Sequence, residues 1–282
     1  RALRPGRIAA GAAAEHALRA LHPPAPPPTI PAALPPPLFP TPAQISRALR
    51  SFPPGSAAGL TGLAPRVVQQ LAAAPGSQLL SALQLLVSDV LGGDVPAEVR
   101  PVVYGARLVA LEKADGGTRP IACGELIRRV AAKCLLRAEG PSLGAALTLR
   151  GQFGVAVPSG AEALVHGLRR RPFGDGTNLL KVDFRNAFNC VSRSEVLSAA
   201  AELRESGLAA YAAAAYREPT PLVWGSAQIV SACGVQQGDP CGPALFSLAL
   251  ARFLAAAPPV AWTGWYLDDG YVQGTAAQLS AW

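Results

Sequence analysis

Three short hairpin patterns, separated by helical stretches, constrain the fold of this 282-residue chain more than any other feature. Pairs of β-type runs flank the ADGG segment at 114–117, span 221–233, and flank the LDDG segment at 267–270. In the last of these we predict a turn at the Asp-Gly step. The helical stretches between them do not alternate with single strands as a doubly wound sheet requires. We therefore predict an α+β fold.

Apolar residues at helical spacing place the helices. We predict helices within 1–22, from Pro42 onward, and near 65–74, 77–91, 124–139 and 243–257, with two more that open at Ser159, running into 169–171, and at Ser192. Thr41 serves as the N-cap of the second of these, and Ser159 with Glu162 and Ser192 with Glu195 have the spacing of capping boxes. In the 77–91 helix, six apolar residues are predicted to face the core: Leu79, Leu80, Leu83, Leu86, Val87 and Val90.

Proline dominates residues 23–42 and excludes a helix there. We predict a linker or a surface strap in an extended conformation; a ligand for a proline-binding domain is the less favoured alternative. No apolar stretch is long enough to span a bilayer without proline, glycine or charge. The five cysteines lack the spacing of a zinc site or a disulfide framework, which favours free thiols.

The net charge of +7 suits a polyanionic partner, although such a charge is also common on proteins that bind no nucleic acid. Arg129, Lys133 and Arg137 recur every four residues on the predicted 124–139 helix. This basic stripe is either a solvated helix face or a face turned to nucleic acid, and the sequence leaves both open.

Three aspartates carry the chemistry that the sequence suggests. Asp183 ends a run, NLLKVDF (178–184), that predicts a buried strand, and Asp268 and Asp269 lie at the third hairpin. If this strand lies beside the hairpin, three carboxylates converge, and they repel one another unless a cation neutralises them. Carboxylate oxygens suit Mg²⁺, which keeps several waters and takes further ligands from substrate phosphates. An Asp-Asp-Gly sequence by itself is more often an ordinary turn.

Five segments, in this order along the chain, resemble the reverse transcriptases of non-LTR retrotransposons and group II introns. They are EKADGGTRPIA (112–122), GQFG (151–154), KVDFRNAF (181–188), GVQQGDPCGP (234–243) and YLDD (266–269). The resemblance implies the fingers and palm of a right-hand polymerase, with an antiparallel palm sheet packed on helices. It divides the chain into an N-terminal helix and Pro-rich linker (1–43), a fingers region (44–175) and a truncated palm (176–282).

The resemblance also assigns roles to single residues. Asp183, Asp268 and Asp269 are the expected catalytic ligands of two Mg²⁺ ions, with Mn²⁺ as a substitute. The expected nucleotide-binding residues are Lys113, Arg119, Phe184, Phe188, Gln237 and Gly238, and the expected primer and template contacts are Tyr266, Gln152 and Gly154. Phe188 would lie beneath the incoming sugar and exclude a 2′-hydroxyl; the alternative is a core aromatic. Asn189 departs from the family, where Asp is common at this position.

The function implied is RNA-directed DNA synthesis, with an RNA template, a DNA primer and deoxynucleoside triphosphates as partners and no membrane. The chain begins at Arg1, contains no Met and ends soon after the third motif. We therefore expect a fragment without the thumb, and two alternatives stay open: an inactive retroelement relic that at most binds nucleic acid, and an RNA-dependent RNA polymerase. An intracellular location is expected, in the nucleus if the element is eukaryotic.

Overall fold

A computed structural model describes residues 7–171, 174, 176–203 and 206–282, and it confirms the α+β class. The helices are α1 (Ala12–Leu21), α2 (Pro42–Arg50), α3 (Pro65–Ala72), α4 (Leu79–Gly92), α5 (Arg100–Val103), α6 (Leu126–Thr148), α7 (Gly160–Arg169), α8 (Ala187–Cys190), α9 (Arg193–Ala201), α10 (Leu208–Tyr216), α11 (Gly242–Ala255) and α12 (Ala276–Ala281). The strands are β1 (Ala106–Glu112), β2 (Thr118–Gly124), β3 (Thr177–Asp183), β4 (Thr220–Trp224), β5 (Ala227–Ser231), β6 (Trp262–Tyr266) and β7 (Asp269–Thr275).

The three predicted hairpins are confirmed, and they belong to two sheets. The first two hairpins join in a mixed sheet of order β2-β1-β4-β5, in which β1 and β4 pair in parallel at Ala106–Leu222 and Arg107–Val223. The third hairpin receives β3 as a further strand and forms an antiparallel sheet of order β3-β7-β6. Asp183 and Asp269 lie in strands of this second sheet, and Asp268 lies in the turn between β6 and β7.

The prediction that 178–184 forms a buried strand is correct for the strand and wrong for its burial. β3 pairs on one side with β7 and lies at the edge of its sheet. Leu179 and Leu180 point to opposite faces, and they are 38% and 39% exposed. A continuous apolar run predicts a strand covered on both faces, whereas its burial depends on neighbours supplied by distant parts of the chain.

The main hydrophobic core lies between the helices and one face of the antiparallel sheet, where Trp265 and Val272 contribute. In α4, Val87 and Val90 are buried as predicted, but Leu86 is 54% exposed. The helix predicted at 124–139 continues to Thr148, through Pro141, because Leu143 and Leu147 in its second half are buried in this core. No helix in the described ranges is both long and apolar enough to cross a membrane.

The N-terminal segment contacts both the mixed sheet and α9. Leu18 of α1 packs against the mixed sheet, and residues 23–40 that follow form neither helix nor strand, as predicted. The backbone N–H of Thr29 donates to Ser194 of α9. Thr41 then caps α2 in a complete capping box with Gln44. The capping box predicted at Ser159 is wrong: this residue has a left-handed backbone (φ 50°) and its side chain caps nothing.

Arg128 of α6 forms the centre of a buried polar network. It is 1% exposed, and its guanidinium donates to the carboxylate of Asp239 at 2.8 Å. The same guanidinium donates to the hydroxyls of Tyr211 and Tyr216 on α10 and to the side-chain oxygen of Gln236. Both tyrosine hydroxyls also donate to Asp239. The network therefore joins α6, α10 and the loop before α11.

The basic stripe on α6 is used largely within the protein. Arg129 donates to the carbonyl of Ala57 at 2.6 Å, and its guanidinium lies 4.7 Å from the centre of the Phe52 ring. Lys133 lies 4.6 Å from the same ring and donates to Ser51. Only Arg137, the third member of this stripe, is exposed. Two of the three cations thus anchor the loop that follows α2.

Breaking the Arg128–Asp239 pair should strongly destabilise the fold. Arg128→Met leaves a buried carboxylate without its cation, and we expect the free energy of unfolding to fall by about 3–5 kcal/mol. Arg19→Met is the matched control, because Arg19 pairs with Glu15 on the exposed face of α1; a loss of about 0.5 kcal/mol or less is expected. Urea unfolding followed by circular dichroism measures both. Equal losses in the two variants would contradict the central role of the network.

Candidate active site

Strand register brings two of the predicted aspartates side by side. Asp183 at the end of β3 is the direct cross-strand partner of Asp269 at the start of β7. Directly paired residues on antiparallel strands have Cα atoms about 4.5–5.5 Å apart and their side chains on the same face. Both residues are exposed. The strand that we predicted to deliver Asp183 therefore does lie beside the hairpin.

The turn of this hairpin differs from the prediction. Asp269 and Gly270 belong to β7, and the two turn residues are Leu267 and Asp268. Leu267 has a left-handed backbone with φ 57°, which is rare for a residue with a large side chain. The Asp-Gly pattern misled the prediction because it is frequent in hairpin turns, whereas here pairing with β3 extends β7 back to Asp269.

Asp268 is electrostatically coupled to its surroundings. Partial burial raises the pKa of its carboxyl group above the ordinary value, and the carboxylates of Asp269 and Asp183 raise this pKa further. A hydrogen bond to its own backbone and the Arg119 guanidinium act in the opposite direction. The three carboxylates and Arg119 therefore share one electrostatic environment, in which a cation would be favoured.

The donor set fits a hard divalent cation in chemistry but not as a closed cage. All three aspartates offer oxygen ligands, as Mg²⁺ prefers. Within the described ranges, however, no group of three His, Cys, Asp or Glu side chains is close enough to hold a metal ion. The backbone register thus supplies the placement, and side-chain rotation would have to close the site. Such an open site accords with an ion that keeps waters and takes substrate phosphates as ligands.

The two phenylalanines of the 181–188 segment pack on the core beneath this site. The Phe184 ring stacks on Trp265 with centroids 5.7 Å apart, and the Phe188 ring stacks on Phe246 of α11 at 4.8 Å. Both phenylalanines are partly exposed. One face of the Phe188 ring is thus packed as in a core aromatic, and its role beneath an incoming sugar stays a prediction.

Lys113 and Arg119 lie at the exposed end of the β1–β2 hairpin. Lys113 closes the turn through its backbone N–H, which donates to Gly117, and Arg119 is the partner of Leu111 in the ladder. Both side chains are exposed. The charge of Arg119 lowers the pKa of Asp268, so this end of the mixed sheet acts electrostatically on the turn of the other sheet. A triphosphate is the kind of anion that such cations bind.

The loop at Gln237 and Gly238 is tied to β2. The backbone N–H of Ala122 donates to the carbonyl of Gln237 at 2.6 Å. Gly238 has φ 126°, and a Cβ atom there would collide with the Ala122 carbonyl. We expected this glycine to allow close approach of a nucleotide or template; the structure gives a different reason, which is close packing on β2. Gly238 is nevertheless exposed on its other side.

The GQFG segment (151–154) forms a brace along β6. Trp265 donates to Gly151 and Phe153 donates to Trp265, both at 2.8 Å through backbone groups. Gln152 is 2% exposed, and its side chain bonds to both backbone groups of Leu267. The expected contact of Gln152 with primer or template stays a prediction; in the structure its side chain is buried and its amide group is bonded to the turn.

The other two residues expected at the primer and template are placed differently. Gly154 allows close approach, since a Cβ atom there would lie 2.6 Å from the backbone nitrogen of Leu267. Tyr266 is 39% exposed beside the turn, at the end of β6, and pairs with Asp269. Tyr266 thus keeps a surface that a primer end could contact.

We did not identify from the sequence the polar residues whose hydrogen bonds hold the segments of the site in place. Asp239 and Gln236 lie inside the recognised GVQQGDPCGP segment, yet both are buried in the Arg128 network. Asn186 in the KVDFRNAF segment has φ 55° and donates to the carbonyl of Leu21, which ties the end of α1 to the site. A polar residue within an apolar stretch is the sequence signal for a buried polar contact. Arg128 has this signal, but we predicted no role for it.

Comparison with known proteins gives one distant similarity. The chain is 28% identical over 244 residues to the "Retrotransposable element SLACS 132 kDa protein" of Trypanosoma brucei gambiense. The match covers 80% of this chain and 19% of that protein, so the chain spans about a fifth of the length of this relative. No protein-family model matches the chain. The chain is thus a distant relative of a retrotransposable-element protein.

Removing the Asp268 carboxylate should stabilise the folded chain in metal-free buffer. Since burial raises the pKa of Asp268, its ionised form opposes folding above that pKa, and Asp268→Asn should raise the unfolding temperature at pH 7. The gain should vanish below about pH 4, where the carboxyl is protonated in folded and unfolded chains. Thermal unfolding with a chelator present measures this.

The control for this measurement is Asp115→Asn in the exposed β1–β2 turn. Asp115 accepts a hydrogen bond from the backbone N–H of Gly117, which the Asn oxygen can also accept. Its unfolding temperature should therefore stay nearly unchanged. A lower unfolding temperature of Asp268→Asn at pH 7 would show that the carboxylate stabilises the turn instead.

Proposed function

We propose that this chain is an RNA-directed DNA polymerase domain that adds deoxynucleotides to the 3′ end of a primer. One observation carries the proposal: the register places Asp183 directly opposite Asp269, with Asp268 in the adjoining turn. Paired carboxylates at this position are unfavourable without a cation, and they provide the ligands that nucleotidyl transfer requires. The distant similarity to a retrotransposable-element protein supports the same proposal.

In the proposed reaction, Asp183, Asp268 and Asp269 hold two Mg²⁺ ions, for which Mn²⁺ can substitute. When bound, these ions would activate the primer hydroxyl and stabilise the leaving pyrophosphate. The protein's own residues bind and orient the substrates. Arg119, whose charge acts on Asp268, offers a planar fork to phosphate oxygens, and the exposed Lys113 of the same hairpin offers a point charge.

The remaining residues form the nucleotide and primer surfaces in this proposal. Phe188 supports the incoming sugar and collides with a 2′-hydroxyl, while Phe184 packs beside it. Gln237 and Gly238 present the exposed side of their loop to the nucleotide. Tyr266 and Gly154 lie toward the primer and template.

The β1–β2 hairpin, with Lys113 and Arg119, belongs to the proposed fingers region (44–175). The antiparallel sheet lies in the proposed palm (176–282), as do β4 and β5, which join the β1–β2 hairpin in the mixed sheet. The partners are an RNA template, a DNA primer and deoxynucleoside triphosphates. Action inside the cell, and in the nucleus for a eukaryotic element, is part of the same proposal.

Primer extension tests the proposal directly. The chain should extend a DNA primer on an RNA template with deoxynucleotides and Mg²⁺, and Asp183→Asn or Asp268→Asn should abolish extension because each removes a metal ligand. Asp89→Asn, an exposed residue of α4, is the matched control and should leave the rate unchanged.

The same assay separates the inactive-relic alternative. Binding of primer–template without any extension, with Mg²⁺ or Mn²⁺ and with either kind of nucleotide, would refute the polymerase proposal and favour a relic that only binds nucleic acid. Circular dichroism of each variant confirms that a loss of extension is not a loss of folding.

The sugar selectivity tests Phe188. Phe188→Val removes the ring that would meet a 2′-hydroxyl, so the preference for deoxynucleotides over ribonucleotides in kcat/KM should fall by at least about tenfold. Phe253→Val is the control, because Phe253 is 66% exposed near the far end of α11. A wild-type chain that uses both nucleotides equally would overturn the gate and favour the RNA polymerase alternative.

A further inference from the structure

The turn that presents Asp268 has an unfavourable backbone of its own. Two residues connect β6 and β7, and the first of them, Leu267, adopts a left-handed conformation. Glycine, Asn or Asp would adopt it more readily than Leu. A turn with this sequence persists only where the surrounding structure holds it.

Gln152 provides that hold through a single side chain. Its amide nitrogen donates to the carbonyl of Leu267 at 3.1 Å, and its amide oxygen accepts from the N–H of Leu267 at 2.8 Å. The same oxygen accepts from the N–H of Gly154 at 3.0 Å, which fixes the side chain itself. Both polar groups of the strained residue are therefore bonded by one buried amide.

The chemistry of this contact is specific to a primary amide of this length. A side-chain amide carries an N–H donor and a carbonyl acceptor in one plane, so it can bond to both the C=O and the N–H of one residue. Met has a similar length and neither function. Because Gln152 is buried and the backbone of 151–153 is bonded to β6, the amide has no freedom to follow a turn that moves.

We infer that Gln152 is a positioning residue, which holds the Leu267–Asp268 turn in the conformation that places Asp268 beside Asp183 and Asp269. Its effect on divalent-metal binding and on metal-dependent extension rests on the proposed function. Its effect on the turn does not, and can be measured separately.

The first measurement is hydrogen exchange at the Leu267 amide by NMR. In the wild-type chain, Gln152 protects this amide, and Gln152→Met should expose it to exchange. Gln69→Met is the matched control, since Gln69 also donates to backbone carbonyls, those of Leu49 and Phe52, but lies in α3. Exchange at Leu267 that is equally slow in all three proteins would overturn the inference.

The second measurement is Mn²⁺ binding by electron paramagnetic resonance, with the Mg²⁺ midpoint of primer extension beside it. Loss of a residue that orients a metal ligand typically weakens metal binding by about 10–100-fold, and this loss is expected for Gln152→Met. Gln69→Met should bind Mn²⁺ as the wild type does. An equal loss in both variants would indicate general destabilisation and overturn the inference.

A double-mutant cycle distinguishes positioning of the turn from general support of the core. Leu267→Gly relieves the unfavourable backbone, so Gln152→Met should cost markedly less Mn²⁺ affinity in that background than in the wild type. An equal cost in both backgrounds would overturn the inference. If Gln152→Met does not fold, Gln152→Asn, whose amide is one methylene shorter, replaces it in the same cycle.

The two proposals fail in different ways. A wild-type chain that binds Mn²⁺ without extending any primer refutes the polymerase, while the exchange and binding comparisons still decide the role of Gln152. A chain that extends primers, with Gln152→Met unchanged in exchange, Mn²⁺ affinity and Mg²⁺ midpoint, refutes the positioning role alone.

Discussion

The buried guanidinium of Arg128 is the interaction on which much of the fold depends. A charge buried without hydrogen-bond partners is very unfavourable, so the guanidinium needs acceptors on all sides. Asp239, Tyr211 and Tyr216 are among these acceptors. These partners come from α10 and from the loop before α11, while Arg128 itself belongs to α6. A shift of any of these helices would break a bond to a buried charge, and such a loss is strongly destabilising.

The Arg128 network is connected to the candidate site through the loop at Gln237 and Gly238. Asp239 follows Gly238 directly, so the network holds one end of the loop whose Gln237 carbonyl accepts from β2. From β2 the hairpin continues to Lys113 and Arg119. The candidate site therefore combines exposed charged residues with buried polar residues: Arg128 is bonded next to the loop that contacts the basic hairpin, and Gln152 is bonded to the turn that carries Asp268.

The sequence predicted most elements and the neighbourhood of the aspartates, because these follow from local patterns. Hairpins and helix starts such as Thr41 need only short-range information, whereas the pairing of Asp183 with the hairpin is predicted only on the condition that the strand β3 lies beside it. The edge position of β3, the exposure of Leu86 and the turn at Leu267 depend on which distant segment lies alongside, which no local pattern encodes. The same holds for Gln152 and Arg128, whose polar side chains reveal their roles only when distant partners such as Leu267 and Asp239 are known.

The placement of the carboxylates follows from the cost of bringing like charges together. Three carboxylates in a closed and buried cluster would repel strongly without a cation, and the fold avoids this by leaving Asp183 and Asp269 exposed and burying only part of Asp268. Solvent then screens the repulsion between the carboxylates. The backbone that carries them is held by uncharged groups, namely the ladder between β3 and β7 and the amide of Gln152. Such a site is open, and for the cations proposed above the exposed side chains would have to rotate to close around them.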